Sequence, residues 1–265
     1  MSLALKPAVV VERSTPMTGA IELVVHHPPS AVAVNPGQFF QLAVAAPQTI
    51  LRRPYSAAWT DPDSGRIGFI FNVVGAGSGW LAVRHEGHEL DLLGPLGRGF
   101  DLDGTEPAII VAGGLGVAVF PGVVRTLVGR GRQVTVLLGA RTSAQLLPVD
   151  RFPGAEVRKA TDDGSAGHRG SVVDLFGSTR GGAVEVFACG PTPMLQALIE
   201  TARRLDVPLE SIQVSLETPM GCGVGTCLGC AVPRPGVGYL LTCLDGPCVH
   251  ADRIDWNRMT DAFHG

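Results

Sequence analysis

Apolar residues are distributed along the chain in three successive regimes. To about Leu102, short runs rich in Val, Ile, Phe and Leu occupy residues 21–25, 39–44, 67–74 and 89–93. Turn formers separate them: Pro36-Gly37, Asp61-Pro62-Asp63-Ser64-Gly65 and Gly94-Pro95. Short strands punctuated in this way predict a small antiparallel barrel or sandwich. From Asp103 to about Gln213 the pattern alternates. Apolar runs at 108–112, 133–138 and 183–189 end in Gly113-Gly114, Gly139 and Gly190-Pro191, and helix-like stretches lie at 117–128 and 194–205. Strands alternating with helices predict βαβ units on a parallel sheet. From Val214 onward neither period holds, and glycine crowds the tail. The expected organisation is a β-barrel domain over 1–102, an α/β parallel-sheet domain over 103–213 and a small C-terminal domain over 214–265. No sequence repeat or low-complexity tract interrupts it.

Composition narrows the function classes. A length of 265 residues with 45% hydrophobic content supplies ample material for two or three packed cores. The balance of 21 basic against 24 acidic residues gives a net charge of −3, which offers no case for nucleic acid, whose binders usually carry a basic face. No apolar run reaches the eighteen residues of a membrane-spanning helix. The first fifteen residues lack the basic, apolar and small-residue segments of a secretion signal. A cytoplasmic location follows as the expectation. Thiols stay reduced there, so clustered cysteines point to metal rather than disulfides.

Five of the six cysteines lie in the tail. Cys222, Cys227, Cys230 and Cys243 have the spacing C-x4-C-x2-C-x12-C, whose first intervals match the plant-type ferredoxin pattern. Soft thiolates suit iron–sulfur clusters. Gly221, Gly223, Gly225 and Gly229 permit the unusual dihedrals of a loop wrapped around one. A structural zinc site would use two C-x2-C-like pairs, and only one occurs here. Cys248 falls outside the pattern and is expected to be a spare buried thiol, with replacement of Cys243 as fourth ligand the alternative.

Other motifs accompany the cysteines. In Arg53-Pro54-Tyr55-Ser56, the arginine can grip a pyrophosphate, the tyrosine offers a flat face to a ring system and the serine a hydroxyl to its edge. An ordinary surface turn is the competing reading for these four residues. Gly75-Ala76-Gly77-Ser78-Gly79 precedes a helix expected near Trp80, a setting that turns N–H groups toward phosphate. Gly113, Gly114 and Gly116 follow a strand and precede a helix, where backbone can approach a dinucleotide, although the third glycine of the six-residue fingerprint is missing. Cys189-Gly190-Pro191 ends another parallel strand, the end at which open α/β sheets bind ligands. Arg141 also follows a strand end and is read as solvated, with a 2′-phosphate contact as the alternative. His26, His27, His85 and His88 are expected on the surface, and His168 and His250 without clear partners.

In order, these features resemble the ferredoxin–NADP⁺ reductase superfamily, and more closely the electron-transfer subunits of class B dihydroorotate dehydrogenases. The most specific stretch runs from Glu217 to Cys230 and continues as Cys243-Leu244-Asp245-Gly246-Pro247. Gly94-Pro95-Leu96-Gly97 and the segment from Ala160 to Ser165 carry it further. The resemblance implies FAD bound by Arg53, Pro54, Tyr55 and Ser56, with Gly75, Gly77 and Ser78 near its pyrophosphate. It also implies NAD(H) beside Gly113, Gly114, Gly116, Cys189, Gly190 and Pro191, and a 2Fe–2S cluster on Cys222, Cys227, Cys230 and Cys243. The implied partner is an FMN-containing catalytic subunit oxidising dihydroorotate to orotate, in a heterotetramer of two of each chain. Such a chain links two-electron nicotinamide chemistry to one-electron cluster chemistry and needs no side-chain general base. One departure stands out. After the glycine loop the family usually has a small residue and proline, and this chain has Val117-Ala118-Val119-Phe120-Pro121. A related reductase subunit serving a hydrogenase, sulfide-reducing or monooxygenase partner, a zinc module for protein contacts and a redox-sensing regulator are the alternatives.

Overall fold

The computed structural model describes residues 7–46, 49–179 and 183–259. Its first part is a barrel-like pair of antiparallel sheets. Its elements are β1 (Ala8–Met17), β2 (Ala20–His26), α1 (Pro28–Ala33), β3 (Phe39–Leu42), β4 (Arg53–Ser56), β5 (Trp59–Asp61), β6 (Arg66–Asn72), α2 (Ala76–Ala82), β7 (Glu89–Leu90) and β8 (Leu92–Leu96), in that order. One sheet is ordered β5-β6-β2-β1-β7 and the other β4-β3-β8. Phe40, Phe69, Phe71, Leu23 and Ile67 fill the space between them. The long strand β1, absent from the sequence expectation, alternates buried and exposed positions only in part and is bulged opposite β2, which blurs its two-residue period.

The second part is a parallel sheet covered on both faces. It comprises β9 (Ala108–Gly113), α3 (Phe120–Gly129), β10 (Val134–Ala140), β11 (Glu156–Thr161), β12 (His168–Arg169), α4 (Val172–Ser178), β13 (Glu185–Cys189), α5 (Thr192–Arg204) and β14 (Ile212–Ser215). All six residues of β9 are buried, as a central strand with helices on both sides requires. Helix α5 places Leu195, Leu198, Ile199 and Ala202 on the buried face at helical spacing. The expected helix over 117–128 divides into a 3-10 turn, Gly114–Val119, and α3, with Pro121 in the first turn of α3. Proline is tolerated there because the first-turn N–H has no helical partner. Ser171 caps α4 by accepting from Val173 N–H at 3.2 Å.

The tail holds β15 (Ala231–Pro233), β16 (Tyr239–Leu241), α6 (Thr242–Asp245) and β17 (Cys248–His250). Strand β17 returns to the parallel sheet and pairs antiparallel with β14, giving the order β12-β11-β10-β9-β13-β14-β17. Val232, Leu240, Val249 and Trp256 accordingly share one core with Val186 and Ile212. A second core crosses from the barrel, through Met17, Ala58 and Ile70, to Phe120, Val124 and Phe187 of the α/β part. Among the described residues, no helix is long and apolar enough to cross a membrane.

His26 and His85 are exposed as expected, whereas His27, His168 and His250 depart from expectation. His27 is buried at the position preceding α1, with Nδ1 2.8 Å from the Ser30 hydroxyl. His168 Nε2 lies 3.3 Å from Asp174 Oδ2, and His250 Nδ1 lies 2.8 Å from the Glu210 carbonyl.

Candidate functional site

A run of three clefts follows the seam between the barrel and the parallel sheet. The first, about 280 Å³, is lined by Arg53, Tyr55, Gly75, Gly77 and Ser78. Arg53 and Tyr55 share a face because side chains alternate along β4. Gly77 lies against the Arg53 side chain: a Cβ there would stand 2.9 Å from Arg53 Nε and displace it. Ser78 Oγ accepts from the N–H groups of Val74 and Gly75 at 2.9 and 3.1 Å, which starts α2 at Ala76, ahead of Trp80. Burial pushes the Tyr55 phenol up to about 12.

The second cleft, about 360 Å³, shares Tyr55 and Val74 with the first. Pro54, Ser56, Gly116, Cys189, Glu217 and Met220 face it from all three regimes of the sequence. Gly116 is dictated by the fold, since a Cβ would meet the Cys189 carbonyl oxygen at 2.4 Å. Burial pushes the Cys189 thiol up to about 12, and the Glu217 carboxylate adds to the shift. The third cleft, about 380 Å³, shares Asn72 and Leu115 with the second and is lined by Gly113, Gly114, Arg141, Pro191 and Met194. It opens at the carboxyl ends of the parallel strands, the ligand-binding end of such sheets. A larger cavity of about 1060 Å³ lies by Ala108, Thr135 and Glu185, at the opposite ends of those strands. Size therefore does not locate this site; strand polarity and motif convergence do.

The cysteine loop packs beside the second cleft. Gln41 of β3, fully buried, donates through Nε2 to the Met220 carbonyl at 3.2 Å and holds the loop against the barrel. Cys230 and Cys243 are buried with their sulfurs 3.2 Å apart, while Cys222 is half-buried and Cys227 exposed. The Thr226 hydroxyl and the N–H groups of Val224 and Cys227 bond Cys222 Sγ and bring its thiol down to about 5. Burial and the Cys230 sulfur raise Cys243 to about 12. Gly223 and Gly225 take φ of +74° and +79°, a region open to glycine.

Among the described residues, no three His, Cys, Asp or Glu side chains stand as a finished ligand set. The donor chemistry nevertheless fits an iron–sulfur cluster, since every candidate is a thiol and N–H groups already point at sulfur. Cys248 lies apart, buried and donating to the Gly37 carbonyl at 3.6 Å. Gln41, Asn72, Ser215 and Glu217 of the site were not singled out from sequence. Glu217 begins the most specific stretch of the resemblance, and the others carry no local signal.

An antiparallel FAD-type barrel, a parallel nucleotide-type sheet and a cysteine loop on one seam define a reductase with the architecture of the ferredoxin–NADP reductases. A ferredoxin NADP⁺ reductase from Neisseria gonorrhoeae, solved with bound FAD and NADP, shares this fold at a TM-score of 0.64 and 16% identity, over 77% of this chain and 92% of its own. Closer in structure is the NADH-dependent reduced ferredoxin-NADP oxidoreductase, at a TM-score of 0.84 and 30% identity over 97% of this chain and 91% of that one. Residues 217–255 match the iron–sulfur cluster binding domain of dihydroorotate dehydrogenase B. The electron transfer subunit of dihydroorotate dehydrogenase B (NAD(+)) from Bacillus caldolyticus is 38% identical over 227 residues, 83% of this chain and 86% of that protein. Its counterpart in Fusobacterium nucleatum is 32% identical over 231 residues, 83% of this chain and 87% of its own. The chain belongs to the family of electron transfer subunits of NAD-dependent dihydroorotate dehydrogenase B.

Proposed function

We propose that the chain relays electrons between NAD(H) in the third cleft, FAD along the first and second, and a 2Fe–2S cluster on Cys222, Cys227, Cys230 and Cys243. A partner carrying FMN oxidises dihydroorotate to orotate in pyrimidine biosynthesis, within a cytoplasmic heterotetramer of two of each chain. The observation that carries this reading is the second cleft, where Tyr55 and Ser56, Gly116 and Cys189, and Glu217 and Met220 meet around one space. FAD exchanges electrons in pairs with a nicotinamide and singly with a cluster, so its place is between them. The protein's part is positional. Arg53 would hold the pyrophosphate, Tyr55 and Ser56 would face the ring system, and Gly114, Pro191 and Met194 would border the nucleotide. Burial keeps the Cys189 thiol protonated on the wall of the second cleft.

The working division of the chain is 1–102 for FAD, 103–213 for NAD(H) and 214–265 for the cluster. The exposed side chains Val224, Leu228 and Leu244 flank the cluster loop and form the face offered to the partner. The test is an anaerobic visible spectrum of the purified chain before and after NADH. Flavin and iron–sulfur bands that bleach support the relay, and a colourless protein holding zinc overturns it. Co-purification with an FMN-bearing, dihydroorotate-oxidising chain identifies the partner, whereas a ferredoxin–NADP oxidoreductase subunit in its place assigns the same relay to another complex.

A further inference from the structure

The segment between β10 and β11 carries Arg141 and Gln145 on the wall of the third cleft. Two contacts from the barrel hold it. Thr18 N–H donates to the Ala144 carbonyl at 2.9 Å. Arg151 reaches Glu22 of β2 with both guanidinium nitrogens, Nη1 lying 3.1 Å from Oε1 and Nη2 closer still to Oε2. Glu22 is 2% exposed. Its remaining acceptor capacity is used by Trp59 Nε1 at 2.7 Å and Ser14 Oγ at 3.2 Å. Gly68 makes room for the indole, since a Cβ there would lie 2.3 Å from Trp59 Nε1. A buried carboxylate with four donors, two of them from one bidentate arginine, is a directional joint, and its geometry fixes orientation more than it adds stability. Neither Glu22 nor Arg151 lines any of the three clefts, so any effect they have on a bound group is indirect.

We propose that Glu22 and Arg151 are positioning residues for the nicotinamide nucleotide, clamping the 141–151 segment to the FAD barrel so that Arg141 and Gln145 stand in the cleft before the nucleotide arrives. The proposal rests on the third cleft being the nucleotide site. Without the clamp, the segment samples positions in which that wall is misplaced, and apparent affinity falls by the fraction of molecules still competent.

The experiment is calorimetric titration of ADP-ribose into the full chain with its FAD bound. Arg151→Met is the primary variant: Trp59 and Ser14 still donate to Glu22, but the buried carboxylate loses its countercharge, so Tm is expected to fall. Its expected effect is a Kd raised about tenfold, with FAD per chain unchanged. Glu22→Gln is expected to act similarly, Arg151→Lys to recover part of the loss, and the double variant to be no worse than either single one, because both remove the same joint. A Kd within twofold of wild type in Arg151→Met, even with a lowered Tm, marks the joint as structural only and overturns the proposal. Arg141→Glu tests the cleft separately, by setting a negative charge against the diphosphate. If ADP-ribose binding survives that change, the cleft is not the nucleotide site and the clamp falls with it. If Arg141→Glu abolishes binding while Arg151→Met does not alter it, the clamp alone is wrong.

Discussion

The side-chain amide of Gln41 donates to the main-chain carbonyl of Met220 at 3.2 Å, across 179 positions of sequence. It is the point at which the barrel grips the start of the cysteine loop. The other end of the same amide, Oε1, is buried without a hydrogen-bond partner among the described residues.

That asymmetry makes Gln41→Leu informative. One hydrogen bond, about 1 kcal/mol, is lost, but an unsatisfied buried acceptor disappears with it. Global stability is expected to change by less than about 1 kcal/mol. The loop loses its anchor, so iron should be released to a chelator several-fold faster than from wild type. Equal release rates would show that Gln41 does not hold the loop.

Cys227→Ser and Cys248→Ala are expected to behave in opposite ways. The first removes an exposed thiol of the spaced set and should abolish iron retention, while reduction of bound FAD by NADH persists. The second removes a buried thiol that packs against Gly37 and should keep iron per chain unchanged at a cost of about 1 kcal/mol in stability. Iron analysis and thermal melts on both variants check the assignment.

Two glycines of the same motif should differ in their tolerance of alanine. At Gly116 a Cβ would meet the Cys189 main-chain carbonyl at 2.4 Å, and at Gly113 the mobile Met194 Sδ at 2.3 Å. Backbone cannot move aside as a methionine tip can. Gly116→Ala should therefore cost about 2–3 kcal/mol and Gly113→Ala less, read from urea midpoints.

Tyr55 gives a pH dependence of defined sign. Its phenol is held up to about 12 in the folded chain against 10.0 for the free group. Between those values the folded state keeps a proton that the unfolded state has released, so stability falls as pH rises. Below pH 10 the contribution is fully present. Tyr55→Phe should show a shallower decline of the urea midpoint between about pH 10 and 11. Parallel declines would place Tyr55 in a more open environment.

Much of this architecture was legible in local pattern. The apolar runs at 108–112 and 133–138 became β9 and β10 within two residues at either end. The 194–205 period became α5. Strand β11 was not legible, because Arg158 and Lys159 interrupt its apolar positions near an edge of the sheet. Strands β14 and β17 were missed as a pair because their partnership forms only after the chain has passed through the cysteine loop.

The sequence by itself determined the kinds of element, the thiol chemistry and the order of the motifs, because dihedral preference, burial period and ligand type are properties of short segments. Tertiary structure alone decided that Tyr55, Cys189 and Glu217 border one cleft and that Gln41 anchors the cysteine loop. It also decided that Glu22 holds Arg151 across 129 positions. Contacts at such separations arise from the packing of whole layers, and a residue's immediate neighbours in sequence carry no trace of them.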